Sequence, residues 1–227
     1  MKDPFSAQLR AAIFDMDGLL LDTEPLWGVS MLQVARQNQI PIGQQHFKHT
    51  RGLRIDEVTA YWQVHFPWQH HKTAQAVAEE ILDDVIASAK AKGRVMPGAI
   101  ACIQYLQSKG LKIGLATSSP MRMVRELLSA FGLNDFFDAL TSADTASMGK
   151  PHPEVFLQCA ESLQTNPWQC LVFEDSINGM VAAKAARMKT VVVPEPAQFD
   201  SPAFGLADVK LRSLSDFDGT IWKKLSE

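Results

Sequence analysis

Seven residues able to do chemistry fall into four short clusters: Asp15 with Asp17, Thr117 with Ser118, Lys150 alone, and Glu174 with Asp175. Asp15 and Asp17 follow Ala11-Ala12-Ile13-Phe14, an apolar run whose length fits a fully buried parallel strand. Two apart in extended chain, they point to the same side. Gly18 permits a sharp departure that leaves both carboxylates at the carboxyl edge of a sheet, where open α/β sheets bind ligands. Thr117-Ser118 and Glu174-Asp175 each close another strand-like run, and Lys150 lies in the loop MGKPHP. Four carboxylates meeting one lysine and a hydroxyl do not make a stable bare cluster. Two like charges about 4 Å apart repel by roughly 4 kcal/mol at an effective dielectric of 20. A hard divalent cation with oxygen ligands, best matched by Mg²⁺, relieves that repulsion, and Lys150 offsets the remainder. Cation and lysine together are also what a phosphoryl group needs in transit. The clusters therefore imply phosphoryl chemistry and not metal storage.

The elements that must position these residues are legible in the periodicities. After the first strand, residues 23–93 contain no convincing strand. Pro25 suits the first turn of a helix reaching residue 38, a second helix spans about 55–66 before Pro67, and a third spans 73–92 with Gly93 at C′. From Val95 onward strands and helices alternate, which indicates βαβ units and a parallel sheet. Strands are expected at 111–117, 137–140, 170–173 and 190–193, with helices at 97–110, from 119, at 153–163 and at 177–188. Beyond Pro194 the chain reads as loop-rich, with a short edge strand at 208–211. The expected fold is α/β: a Rossmann-like three-layer core from residues 1–22 and 94–227, split by an inserted α-helical cap at 23–93. The cleft should lie between the two, because the insert springs from the edge that carries Asp15.

Composition narrows the rest. With 46% hydrophobic and 21% charged residues in 227, the chain can bury a substantial core. A net charge of −3 leaves no footprint for nucleic acid or an anionic membrane. No window has the roughly 18 apolar residues of a membrane span, and the N-terminus lacks a secretory h-region. Cys102, Cys159 and Cys170 lie in apolar segments without a Cys-x-x-Cys, as reduced core cysteines of a cytoplasmic protein. Nothing demands more than a monomer.

The ordered set DMDGLL, ATS, GKP and FED resembles the four motifs of the haloacid dehalogenase superfamily, and the helical insert matches its α-helical cap. DMDGLLLDTEPLW, GLRIDEV and EDSINGM look most like its sugar-phosphate phosphatases, particularly the 2-deoxyglucose-6-phosphate (hexitol) phosphatases. The resemblance implies that Asp15 is the nucleophile, forming an aspartyl-phosphate. It implies that Asp17 protonates the leaving sugar oxygen and then takes a proton from water. Thr117 and the Ser118 backbone N–H would bind the transferring group, and Lys150 would bridge nucleophile and phosphate. Asp15, the Asp17 carbonyl oxygen and Asp175 would hold Mg²⁺, with Glu174 beside or among the ligands and Asn178 in a supporting hydrogen bond. The implied substrate is a small phosphorylated sugar or sugar alcohol. A β-phosphoglucomutase shares both aspartates and the cap type, and is the alternative; where those mutases carry a histidine on the first cap helix, this sequence has Trp27.

Other residues carry two readings. Arg54 is either exposed near a helix start or, as the resemblance implies, in contact with substrate or phosphate. Glu174-Asp175 could also complement a helix dipole, which is compatible with metal binding. Ser119 is assigned to the N-cap of the helix that Pro120 starts. His70-His71 sits by a helix start, His46, His49 and His65 read as cap positions, and His152 as a loop-ordering residue. Trp62, Phe66 and Trp68 read as cap core.

Overall fold

The computed structural model describes residues 8–50, 53–68 and 72–226. Its centre is a strand with no polar side chain, β1 (Ala11–Phe14), buried along its whole length. Alternate residues feed opposite layers. Ala12 and Phe14 join one core with Ile113 and Leu115 of β2 (Lys112–Thr117) and Leu171 and Phe173 of β4 (Cys170–Glu174). Ala11 and Ile13 join the other, with Ala116, Cys170 and Val172. The first layer is closed by α4 (Ala99–Ser108) and α5 (Met121–Ala130), the second by α6 (Glu154–Ser162) and α7 (Ile177–Ala185). With β3 (Ala139–Ser142), β5 (Lys189–Val192) and β6 (Val209–Lys210), all pairings are parallel and the order is β3-β2-β1-β4-β5-β6. That is the Rossmann-like arrangement expected. The strand order reverses between β1 and β4, and at such a point the helices diverge and leave a crevice at the carboxyl edge. Phe14 stacks on Phe173 across this pair, with ring centroids 4.5 Å apart.

Between β1 and α4 come α1 (Glu24–Gln37), α2 (Ile55–His65) and α3 (Ala74–Lys92), with no strand among the described residues of 23–93. Thr73 caps α3, its Oγ1 accepting from the Ala76 N–H at 3.1 Å. The chain departs and returns side by side: the Asp22 N–H donates to Arg94 O (2.9 Å) and the Met96 N–H to Leu20 O (2.8 Å). Ion pairs link α3 to α5, Lys90 with Glu126 at 2.6 Å and Arg122 with Asp83.

Several expectations shift. β3 begins at Ala139, two residues late, because Asn134–Phe136 winds into a 3₁₀ turn and Asp138 takes the Ile113 N–H on its carboxylate (2.7 Å). The polar Thr141 and Ser142 complete the strand, both buried. The C-terminal region holds a helix absent from the expectation, α8 (Gly219–Ser226). It is short and starts with glycine, so its periodicity is weak. Asp218 is the signal that marks its start, accepting from the Thr220 and Ile221 N–H groups at 2.9 Å each. Gly93 ends α3 in extended conformation (φ −66), not in the left-handed C′ geometry, since the chain runs straight into its pairing with residues 20–22. The three cysteines are buried and unpaired, and burial pushes each thiol up to about 12. Among the described residues no helix is long and apolar enough to cross a membrane.

Candidate active site

β1 delivers Asp15 to the crevice, and its N–H donates to Phe173 O at 3.0 Å, which extends the β1–β4 ladder by one step. The carboxylate is almost fully buried, and Lys150, equally buried, donates to its Oδ1 at 2.6 Å. The same ammonium donates to Glu174 Oε1 at 2.6 Å and to Ala116 O at 3.2 Å, so all three of its donors are used. Burial disfavours the charge on Lys150, but Asp15 and Glu174 outweigh it and raise its pKa above the ordinary value. Lys150 thus bridges Asp15 and Glu174. Glu174 Oε2 is committed as well, accepting from the Asp175 N–H, the Ser176 N–H and the Ser176 Oγ, each at 2.9 Å. Glu174 is therefore built as the support that fixes Lys150 and the chain turn after β4.

Two glycines make room. Gly18 has φ +78, and a Cβ there would stand 2.5 Å from Asp175 Oδ2. A Cβ on Gly179 would overlap Glu174 Oε1 at 1.7 Å, so α7 approaches the carboxylate only through glycine. Asp15, Glu174 and Asp175 each offer a carboxylate oxygen, all within 4.8 Å of one another. Burial pushes Asp15 up to about 8, with Glu174 and Asp17 adding to it against the pull of Lys150. Burial likewise raises Asp175 well above the usual carboxylate range, followed by Glu174, Asp15 and Glu24. The donor set is all oxygen, and it carries more negative charge than one ammonium offsets. That composition fits a hard divalent cation. Because both Glu174 oxygens are engaged by protein donors, Asp15 and Asp175 are the carboxylates best placed to hold it.

Thr117, at the end of β2, is buried, and its Oγ1 accepts from the Ser119 N–H at 3.1 Å. The Ser118 hydroxyl is buried without a partner among the described residues, and Ser118 lines the same cleft. Ser119 is not the N-cap of α5. Pro120 takes that position and has no side chain to cap with, so Asp144 Oδ2 accepts from the Met121 N–H instead (2.7 Å). The Ser119 hydroxyl turns into the cleft and donates to Asp17 Oδ2 at 2.6 Å. Asp17 Oδ1 accepts from Thr23 Oγ1 (2.5 Å) and from the indole N–H of Trp27 (3.2 Å). Reading Ser119 as a cap hid this contact; three consecutive hydroxyls after a strand were the available signal. The opposite wall, from α1 through α2, is mainly apolar, with Trp27, Met31, Leu53, Ile55 and Val58 beside Thr50.

Arg54 is not brought to this cleft. Its guanidinium donates to the carbonyls of Ala143 (3.2 Å) and Ala146 (3.0 Å) and pairs with Glu57 at 3.3 Å, tying the start of α2 to the loop after β3. That loop presents bare carbonyls at a 3₁₀ turn, the acceptors a guanidinium fork seeks. Of the histidines, His46 accepts from the Gly43 N–H (2.9 Å), His65 packs at a tilt against the Tyr61 ring, and His152 is exposed beside Glu154. His70 and His71, like the His49 side chain, lie outside what is described.

A parallel sheet with this order, and two aspartates, a lysine and an acidic pair at its switch point, define a class. Residues 12–193 match the model of the haloacid dehalogenase-like hydrolases, and the chain belongs to that family. Hexitol phosphatase B of Escherichia coli (strain K12) is 43% identical over 92% of this chain and 94% of its own. The β-phosphoglucomutase of Bacillus subtilis (strain 168) is 28% identical over 92% and 91%. Among solved structures, CbbY of Rhodobacter sphaeroides in complex with phosphate shares the fold with a TM-score of 0.85 at 22% identity, covering 96% of this chain and all of the other.

Proposed function

We propose that this protein is an Mg²⁺-dependent phosphatase of small sugar or sugar-alcohol phosphates that works through an aspartyl-phosphate on Asp15. The protein is a phosphoric monoester hydrolase. The observation that carries the mechanism is the pairing of two aspartates in opposite surroundings. Asp15 is buried against Lys150, while Asp17, two residues on, is more open and held by neutral donors. With Lys150 and a bound cation holding its charge against the upward push of burial, Asp15 would be suited to attack, and Asp17, held in the cleft by neutral donors, to move protons.

Asp15 attacks phosphorus in line with the leaving oxygen, and the bond from phosphorus to the sugar oxygen breaks as Asp17 gives that oxygen a proton. Asp17, now a carboxylate, takes a proton from water; the water oxygen attacks the phosphoryl-aspartate and releases inorganic phosphate and free Asp15. Lys150 holds Asp15 oriented and offsets its charge, and Glu174 holds Lys150. Thr117 and the Ser118 backbone N–H bind the phosphoryl oxygens. Asp15, Asp175 and the Asp17 carbonyl oxygen would hold Mg²⁺, which would supply the positive charge that lets two anions, carboxylate and phosphate, approach. Residues 23–93 act as a cap on the core of 1–22 and 94–227, flexing where residues 20–22 run beside 94–96 and excluding water when closed. The apolar insert wall suits the carbon skeleton of one small substrate, and a hexitol or hexose phosphate fits the likeness to hexitol phosphatase B. The protein acts in the cytoplasm as a monomer.

The second reading is the mutase, favoured by the 28% likeness to a β-phosphoglucomutase. A mutase must shield its phosphoryl-aspartate from water until a sugar hydroxyl arrives. By that resemblance Trp27 stands where the mutases place a histidine, and an indole donates one hydrogen bond, here to Asp17 Oδ1, but moves no proton at neutral pH. With glucose 1-phosphate and glucose 6-phosphate, primed or not with a bisphosphate, phosphorus NMR should show inorganic phosphate forming faster than any interconversion. Interconversion outrunning phosphate release would establish the mutase.

A further inference from the structure

Asp17 is gripped from both sides of the cleft. Oδ1 takes two donors from the start of α1, Thr23 Oγ1 and Trp27 Nε1, and Oδ2 takes one from the core loop after β2, Ser119 Oγ. A carboxylate has about four acceptor positions, two on each oxygen. Oδ1 is therefore full, and Oδ2 has one position left. The donors are themselves fixed. Trp27 is 8% exposed and Ser119 6%. Ser119 is anchored through its backbone as well, its N–H donating to Thr117 Oγ1 (3.1 Å) and its carbonyl accepting from Ser142 Oγ (2.6 Å). Both residues line the cleft that holds Asp15.

We propose that Trp27 and Ser119 are positioning residues for Asp17, and that they restrict its proton traffic to Oδ2. The inference rests on the phosphatase reading. With both Oδ1 positions taken, the open position of Oδ2 is the one left to exchange a proton with the leaving oxygen and with water. In the first step the Oδ2–H bond breaks and its electron pair stays on Asp17, while the leaving oxygen gains the proton as its bond to phosphorus breaks. In the second, the proton of the attacking water returns to Oδ2. An indole from the insert and a hydroxyl from the core aim one carboxylate, so correct aim requires both parts of the protein in place. Sugar and polyol alkoxides are poor leaving groups and need that proton; nitrophenolate leaves without it.

The test is leaving-group dependence. Trp27→Phe keeps the ring and removes the N–H; Ser119→Ala removes the hydroxyl. With Mg²⁺ present, kcat on a hexitol phosphate should fall about tenfold or more in each, within the range of general acid catalysis. The loss on p-nitrophenyl phosphate should be several-fold smaller, and a series of alkyl and aryl phosphates should show a steeper dependence on leaving-group basicity. Trp27→His and Ser119→Thr, which keep a donor, should recover part of the loss on the hexitol phosphate. Equal losses on both substrates, or no loss on either, would overturn the inference while wild-type hydrolysis leaves the phosphatase reading standing. A wild type that hydrolyses neither substrate would instead remove the phosphatase reading. Thermal unfolding checks each fold, and should Trp27→Phe not fold, Ser119→Ala decides alone.

Discussion

Asp15→Asn is expected to reduce turnover by roughly 10³-fold or more, as loss of a covalent nucleophile does elsewhere, while leaving the fold intact. The amide retains an oxygen for the Lys150 ammonium, which now donates to Asp15 Oδ1 at 2.6 Å. Lys150 also keeps Glu174 at 2.6 Å, so the substitution does not strand a buried cation. Cationic partner, backbone hydrogen bond to Phe173 and shape all survive; what is lost is the negative charge, which serves both attack and the hold on Mg²⁺. Steady-state hydrolysis of a hexitol phosphate, measured on freshly prepared protein beside its unfolding curve, reads both halves. Retention of more than a few per cent of activity in an undeamidated sample would remove Asp15 from the role of nucleophile.

Metal removal should have an effect of the same order. Asp15 and Asp175 are both raised by burial and by neighbouring carboxylates, and a dianionic phosphate must enter beside them. EDTA should abolish turnover and Mg²⁺ restore it. Ca²⁺ should occupy the site and inhibit, because its larger and looser shell misplaces nucleophile and phosphate. A readout free of catalysis accompanies this. Mg²⁺ at about a hundred times its dissociation constant adds roughly 2.7 kcal/mol, which raises the melting temperature by about 5–10 °C in a chain of this size. Asp175→Asn should lose most of that shift. Full activity in metal-free buffer, or a melting temperature indifferent to Mg²⁺, would contradict the assignment.

The strands that carry the site were legible because each is a short apolar run ended by its functional residue. CLVF before Glu174 and LKIGLA before Thr117 are two such runs, and the paired strands bring those residues to the same edge as Asp15. Long-range partners were not legible. That Lys150 would be shared by Asp15 and Glu174 depends on how the loop after β3 folds back over the sheet, which no periodicity records. The place of Arg54 is not legible for a related reason. Its charge suggests an anionic ligand, yet Nη1 is taken by the carbonyls of Ala143 and Ala146 and Nη2 pairs with Glu57, and backbone acceptors are invisible in a sequence. Ser119 shows the converse: a local rule, serine before proline at a helix start, assigned it to a cap, and the carboxylate of Asp17, 102 residues distant in sequence, won it instead. The helix α8 was missed because eight residues beginning with glycine carry too little pattern to stand above the surrounding loops.

The claim on which the rest depends is that the phosphoryl group passes through Asp15 before water receives it. The stereochemical course at phosphorus tests this most directly. A phosphorothioate ester made chiral with oxygen isotopes, hydrolysed in water of the remaining isotope, should yield product with retained configuration, the outcome of two successive in-line displacements. Inversion would mean that water attacks the substrate directly, and would contradict the aspartyl-phosphate mechanism.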